Sequence, residues 1–451
     1  MQAIPVIVVL DVGRTNKKLF VFNEQYEIVW EKAARFTEIT DEDGDACENL
    51  AALTQSVYDS LHEVFERKDF KIKAVNVSAY GASLVYVDEH GKPLAPLYSY
   101  LKQYPAALQQ NLYDKYGGRE TFLRQTASPA LGSLNSGLQL YRLKAEQPAV
   151  FAATRYALHL PQYISSLVSG VLCSDITSIG CHTALWDFVR NGYHAWVQEE
   201  GLEVKMAPIL PSNKEMPGRF GKHTFMAGTG LHDSSAALIP YLIQFREPFV
   251  LISTGTWCIS LNPFNDTPLT QEELAQDCLC YLSYEGKPVK ASRLFAGNEH
   301  EQEVKRIAAH FNQSALHYRT ITYDAGIMRG LKPGVFGERD LSVFSSDVEA
   351  YHQLMLDIAM QQYHATQLVL QDQPVKRIFV DGGFGKNDLY MHLLANLFPE
   401  TEIYAATIPQ ATALGAALAL HAAWNSRPVP GSLIGLKRYE ADVVVMDGPK
   451  R

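Results

Sequence analysis

The apolar positions change period several times in the first eighty residues. Val6-Ile-Val-Val-Leu10 is continuously apolar and reads as a buried strand. Asp11 to Asn16 interrupts it as a turn, and Lys18-Leu-Phe-Val-Phe22 and Glu27-Ile-Val-Trp30 read as two more strands. Between 48 and 67 the spacing lengthens, with Leu50, Leu53, Val57, Leu61 and Val64 on one helical face. Ile72-Lys-Ala-Val-Asn-Val-Ser78 then returns to strand alternation. The predicted order is strand, strand, strand, helix, strand.

Near residue 250 the layout restarts. Val250-Leu-Ile252, a turn over Ser253 to Thr256, and Cys258-Ile-Ser-Leu261 repeat the strand, glycine-hydroxyl turn and strand of the N-terminus. Downstream, 377–381 and 402–405 read as strands, and 387–397 and the Ala/Leu-rich 411–423 as helices. Strands alternating with helices predict a mixed sheet covered by helices. The stretch Pro208 to Gly230 is rich in proline and glycine and reads as a loop crossing toward a cleft. A boundary shortly after it, near 245, divides the chain into 1–244 and 245–451.

Length and composition narrow the class. A chain of 451 residues exceeds one ordinary core, and about two to three domains are expected. Apolar residues at 47% and charged residues at 20% are globular values. The net charge of −9 argues against a nucleic-acid partner, which selects clustered Lys and Arg. Residues 4–10 are too short to span a bilayer and run into Asp11 without a basic leader, so no membrane partner and a cytoplasmic location are expected. The six cysteines are scattered, which disfavours a disulfide framework or zinc site. Cys278 and Cys280 alternate as buried strand residues would. The tail Pro449-Lys-Arg451 reads as a solvated terminus.

Candidate chemistry sits at the turns. In Asp11-Val-Gly-Arg-Thr-Asn-Lys-Lys18, backbone N–H groups of the turn can cradle phosphate oxygens, Lys18 can neutralise charge and Asp11 can hold hydrated Mg²⁺. A polar hairpin without ligand would look the same. Ser253-Thr-Gly-Thr256 supplies a second such turn, and Asp381-Gly-Gly-Phe-Gly-Lys-Asn387 joins a strand to a helix through glycines that let a ligand approach the backbone. Neither the dinucleotide fingerprint nor the P-loop pattern is present. In Thr229-Gly-Leu-His-Asp-Ser-Ser-Ala-Ala237, Asp233 is a candidate proton acceptor and also a candidate N-cap for 234–238.

These motifs, with Thr412-Ala-Leu-Gly-Ala-Ala-Leu418, resemble in order the two phosphate loops, adenosine loop and closing helix of the FGGY carbohydrate kinases, within the actin-like ATPase superfamily. The resemblance covers nearly the whole chain. Within the family the nearest likeness is to the rhamnulokinase branch, through Leu160-Pro-Gln-Tyr-Ile-Ser-Ser-Leu-Val-Ser-Gly170, Asp175-Ile-Thr-Ser178, His232-Asp-Ser-Ser-Ala-Ala237 and Gly255-Thr-Trp257. Two positions depart from the family pattern. Arg14 stands where a small residue is usual, and Tyr98-Ser-Tyr-Leu-Lys102 where many members place an Arg-Asp-like pair on the sugar.

The resemblance implies an α/β fold of two actin-like, ribonuclease H-like domains, each a mixed sheet flanked by helices, with an interdomain cleft. It implies ATP and Mg²⁺ as cofactors and a small-molecule sugar as substrate. Asp233 would be the general base, with Asp11 and Asp233 at the metal. Nucleotide binding would fall to Gly13, Thr15, Asn16, Lys18, Gly255, Thr256, Asn298, Gly382, Gly383 and Asn387. Sugar binding would fall to His232, Ser83, Tyr98, Tyr100 and Trp257, although His232 also fits a loop-satisfying role and the aromatics also fit packing roles. L-Rhamnulose is the first expected substrate, with L-fuculose, L-ribulose, xylulose or a polyol as alternatives. Competing readings are an actin- or chaperone-like ATPase acting on a protein partner, and a silent sugar sensor, toward which Arg14 points. Monomer and homodimer both remain open.

Overall fold

Strand β1 (Ile4–Val12) is apolar on both faces because it is covered on both. In the computed structural model, which describes residues 3–14, 16–371 and 373–442, β1 lies between β2 (Lys17–Asn23) and β4 (Phe70–Ala79). Beyond β2 comes β3 (Ile28–Ala34), and beyond β4 the hairpin of β5 (Met216–Phe220) and β6 (His223–Ala227). The short β7 (Leu231–His232) also pairs with β4. β1, β6 and β7 run parallel to β4, while β2, β3 and β5 are antiparallel to their neighbours. On one face, Val6, Val8 and Leu10 pack with Leu53, Val57 and Leu61 of α1 (Leu50–Phe65) and with α2 (Leu160–Ser169). The other face, with Ile7, Val9 and Phe20, meets α3 (Asp233–Gln244). Residues between 84 and 206 add a mainly helical lobe with its own core around Phe122, Leu138 and Trp196.

The second sheet repeats the first. Its order is β10 (Cys278–Leu282), β11 (Pro288–Leu294), β9 (Cys258–Asn262), β8 (Phe249–Thr254), β12 (Arg377–Gly382), β13 (Glu402–Thr407) and β14 (Gly435–Tyr439). β8, β12 and β13 are parallel, and β8 and β9 form the same antiparallel hairpin as β1 and β2. Helices α4 (Ala296–His310), α5 (Asp347–Leu370) and α6 (Asp388–Leu397) cover one face. The fold is thus the expected pair of mixed sheets flanked by helices.

Between the halves, α7 (Ala411–Ala419) crosses α3 at backbone distance. A Cβ on Gly415 would overlap the carbonyl oxygen of Ala236, so only glycine fits. This explains the small-residue composition of 411–419, and it seats a helix from the second half against Ile7 and Val9 of the first.

Three local expectations are corrected. The proline- and glycine-rich 208–230 is not a loop: it contains β5 and β6, whose register pairs Met216 with Ala227 and Phe220 with His223. Pro217, in β5, sits on an edge strand, where a missing N–H is tolerated. Asp233 is not an N-cap. His232 is still strand, paired to Ala79, so it occupies the cap position and Asp233 begins the helix. The 411–423 helix is broken after Ala419, with a short turn over His421–Trp424. Thr15 and the tail 449–451 lie outside the described residues.

Candidate active site

Candidate polar residues stand at the carboxyl ends of the parallel strands. Asp11 closes β1, Asp233 follows β7, Thr254 ends β8, and Asp381 and Gly382 end β12. Ligands of open α/β sheets collect at the carboxyl ends of strands, where loops diverge and backbone donors are free.

Asp233 is set by two neighbours. The Ser234 N–H donates to its Oδ1 at 2.6 Å, and His232 Nε2 lies 3.2 Å from the same oxygen. The His232 backbone N–H donates to Thr177 Oγ1 at 3.0 Å, so the polar 175–178 stretch positions the histidine rather than reaching the cleft itself. Upstream, Gln162 Nε2 donates to the Gly230 carbonyl and Ser165 Oγ to that of Gly228, which fixes the approach to the carboxylate from α2. Loss of water around Asp233 pushes its carboxyl up to about 6. Burial also pushes Asp11 up to about 6, with a further upward push from Asp233, while Thr412 Oγ1 donates to Asp11 Oδ2 at 2.9 Å and lowers it. His232 is held neutral, its value lowered by burial to about 4.

Asp11 has no ion pair among the described residues, and the partner of Asp233 is a neutral histidine. Two hard-oxygen ligands that repel one another, without a cation between them, fit a small divalent cation such as Mg²⁺. The one three-carboxylate group found among the described residues, Asp41, Asp43 and Asp45, is already filled. Lys102 Nζ sits 2.5, 2.7 and 3.4 Å from its oxygens.

The two glycine turns are built alike. Gly13 N–H donates to Asn16 O, and Gly255 N–H to Trp257 O, both at 2.9 Å. Beyond the second turn opens a cavity of about 730 Å³ lined by Thr254, Gly255, Gly297, His300, Tyr318, Tyr351, Gly383, Phe384 and Asn387, among others. Gly255, Gly383 and Asn387, three of the residues expected at the nucleotide, line this one cavity. Asn387 caps α6 through the Tyr390 N–H and donates to Tyr351 Oη at 2.8 Å. Gly382 lies behind the wall. At φ +82° its Cα faces Thr254, and a Cβ would overlap the Thr254 carbonyl oxygen.

Other predicted residues are placed differently. Asn16 accepts from Arg35 Nε at 3.2 Å, on the exposed side of its turn. Lys18 pairs across the hairpin with Asp11 and extends over Phe20, while its charge lowers the Asp11 carboxyl. The Asn298 N–H donates to Thr256 O, which braces the second turn. Tyr98 hydrogen-bonds Glu42 and Gln147 and lines a separate cavity that includes neither His232 nor Asp233. Tyr100 lies under the Arg14 guanidinium, 4.9 Å from ring centroid to Cζ. Ser83 is buried beside Ala82, whose carbonyl accepts from Gln139. Trp257 packs at a tilt against Phe295 and lies under Arg293.

Sequence reasoning quoted Thr412 and Thr177 within motifs but missed their contacts with Asp11 and His232, and it missed Cys181 beside His232 and the α4 face of Gly297, His300, Glu301, Val304 and Lys305. That face recurs at helical spacing and was available as a signal, but it overlaps the core stripe of Val304, Ile307 and Ala308.

Comparison with known proteins identifies the family. Residues 6–234 match the FGGY family of carbohydrate kinases, N-terminal domain, and residues 246–428 the carbohydrate kinase FGGY C-terminal domain. A rhamnulokinase from Mannheimia succiniciproducens is 21% identical over 276 residues, 59% of this chain and 55% of that protein. An L-fuculokinase from Escherichia coli is 25% identical over 288 residues, 60% of each chain. The matches thus span about half to three fifths of the length of these curated relatives. Among solved structures, a carbohydrate kinase from Novosphingobium aromaticivorans superposes with a TM-score of 0.78 at 22% identity, covering 97% of this chain and 95% of that one. A xylulose kinase from Rhodospirillum rubrum gives 0.79 at 16% identity, covering 97% and 94%. With both of its halves matched in order, the chain belongs to the FGGY family of carbohydrate kinases.

Proposed function

We propose that the protein transfers the γ-phosphoryl group of ATP to a hydroxyl of a small sugar, a ketose such as L-rhamnulose, with L-fuculose next. The observation that carries this reading is Asp233, a carboxylate at the cleft surface, raised to about 6 and set beside a neutral histidine. A carboxylate of that affinity is basic enough to accept the proton of a sugar hydroxyl and is still ionised at neutral pH. As the sugar oxygen bonds to the γ-phosphorus, the bond from phosphorus to the ADP oxygen breaks and the hydroxyl proton passes to Asp233.

The turns at Gly13 and Gly255, each closed by its glycine N–H, would present their other N–H groups to the phosphate tail from opposite halves, and the cavity behind Gly255 and Gly383 would take the nucleoside. Asp11 and Asp233 would hold Mg²⁺, which when bound neutralises charge on the phosphates. We place the domain boundary near residue 245, between α3 and β8, so that the base and the second phosphate turn lie on either side of it. L-Ribulose, xylulose and polyols stay within the reading. An actin- or chaperone-like ATPase would have no use for a raised carboxylate beside a neutral histidine.

The test is a coupled ADP-release screen with Mg-ATP over ketoses, aldoses and polyols. Stimulation by one sugar class, with formation of its phosphate, is expected. ATP binding without stimulation by any sugar contradicts the reading.

A further inference from the structure

A buried lysine holds the turn after β1 from beneath. Side chains alternate along β2, so Lys17 shares a face with Leu19 and Val21, which pack on α1, while Lys18 falls on the opposite face with Phe20. Lys17 is the first residue of that α1-facing row, and it meets Glu48, which stands just before the helix. Its ammonium lies 2.5 Å from Glu48 Oε1, and the two side chains are only 8% and 12% exposed. Tyr80, just past β4, donates its hydroxyl to Glu48 Oε2 at 2.7 Å, and its backbone N–H donates to Val12 O at 3.1 Å.

The same ammonium donates to the Arg14 carbonyl at 2.6 Å, inside the turn itself. With Gly13 N–H on Asn16 O, two carbonyls of the turn are occupied. The second turn reaches the same state by different means. There Gly255 N–H holds Trp257 O, and the Asn298 N–H from the start of α4 holds Thr256 O at 3.2 Å. An anion cradle needs this arrangement, because successive N–H groups converge on a phosphate only when the carbonyls between them face away, and a carbonyl oxygen aimed at the ligand repels it. A buried ion pair adds little stability over apolar side chains of the same size, so the Lys17 and Glu48 pair calls for a use beyond stability.

We infer that Lys17 is a positioning residue for phosphoryl transfer: it turns the Arg14 carbonyl away from the cleft and so leaves the N–H groups of the first turn to the nucleotide phosphates, with Glu48 and Tyr80 fixing the ammonium. This rests on the proposed function, in which that turn meets the phosphate tail. Lys17 itself touches no ligand. Its removal should weaken the grip on the phosphates and spare the nucleoside cavity, which it does not line.

The experiment measures binding of Mg-ATP by calorimetry and of adenosine by saturation-transfer nuclear magnetic resonance to the full chain, for wild type, Lys17→Met and the double variant Lys17→Met, Glu48→Gln, with thermal unfolding recorded beside them. Lys17→Met leaves the Glu48 carboxylate without its partner and should lower the unfolding midpoint, whereas the double variant removes that charge and should recover most of it. Both should lose roughly tenfold or more in ATP affinity, as when a hydrogen bond from a charged donor is removed, and keep adenosine affinity within about twofold. If Lys17→Met does not fold, the double variant decides. ATP affinity that recovers together with the unfolding midpoint makes Lys17 a purely structural residue and overturns the inference, as do equal losses for ATP and adenosine. Wild type that binds no ATP sinks the phosphate-turn reading and this inference with it, whereas wild-type ATP binding that the folded variants leave unchanged sinks the inference alone.

Discussion

Two groups of carboxylates in this protein behave in opposite ways. In the first, Asp41, Asp43 and Asp45 gather around the ammonium of Lys102, whose side chain is only 6% exposed, and their negative charge is spent on holding two loops together. In the cleft, Asp11 and Asp233 have no paired cation among the described residues, and loss of water raises both to about 6. The first group is denser and more conspicuous in the sequence, the second more reactive. What distinguishes a site from a structural cluster here is uncompensated charge, and compensation depends on a residue some sixty positions away.

Removing the cleft carboxylate should have the largest effect. Asp11→Asn is expected to lower Mg²⁺-dependent turnover by roughly a hundredfold or more and to raise the Mg²⁺ needed for half-maximal rate, since metal stabilisation of a transferring phosphoryl group is worth several kcal/mol. The matched change on the surface, Asp43→Asn, should alter turnover by less than about twofold. Steady-state rates over a Mg²⁺ titration compare the two, and equal losses would erase the distinction.

Lys102→Met attacks the comparison from the other side. The Asp41 side chain is fully buried, so the variant leaves that carboxylate uncompensated, and urea unfolding should show a loss of about 3 kcal/mol. Turnover per folded molecule should be retained.

How much of this was legible beforehand follows from the physics of each feature. The two strand-turn-strand hairpins and the glycine turns at Gly13, Gly255 and Gly383 were readable because they depend on residues adjacent in the chain. The hairpin of β5 and β6 was missed because proline and glycine also serve edge strands, and Asp233 was misassigned as a cap because strand pairing of His232 with Ala79 is set by a distant β4. The hydrogen bond from Thr412 to Asp11 arises from the packing of the two halves, which no local pattern encodes. Cys278 and Cys280 were read correctly as buried strand residues, their thiols pushed up by burial to about 12.

Nucleotide binding offers a smaller effect that separates the glycines. A Cβ at Gly383 would meet nothing within 4 Å, so it projects into open space of the cavity wall. Gly383→Val should therefore weaken ATP binding by roughly tenfold, through crowding of the ligand, with an unchanged unfolding midpoint. Gly382→Ala should instead destabilise the fold, because its left-handed backbone and the Thr254 carbonyl leave no room. Calorimetry with ATP and thermal unfolding distinguish the two.

The mildest effect is on pH. A base must be unprotonated to accept a proton, and burial raises the Asp233 value from 3.8 to about 6. The rate at saturating substrates should therefore decline as pH falls through about 6, not near 4. A rate profile flat from pH 7 to 5 would show that this carboxylate does not gate the reaction.

The most direct test of the whole account follows phosphorus in the Asp233→Asn variant. Wild type and variant are incubated with Mg-ATP and the sugar that best stimulates ADP release, and sugar phosphate is quantified by ³¹P nuclear magnetic resonance, with sugar and nucleotide binding measured in parallel. The account predicts that the variant binds both ligands with near wild-type affinity and forms sugar phosphate roughly a hundredfold to ten-thousandfold more slowly. Sugar phosphate formed by the folded variant at a rate close to wild type would contradict it.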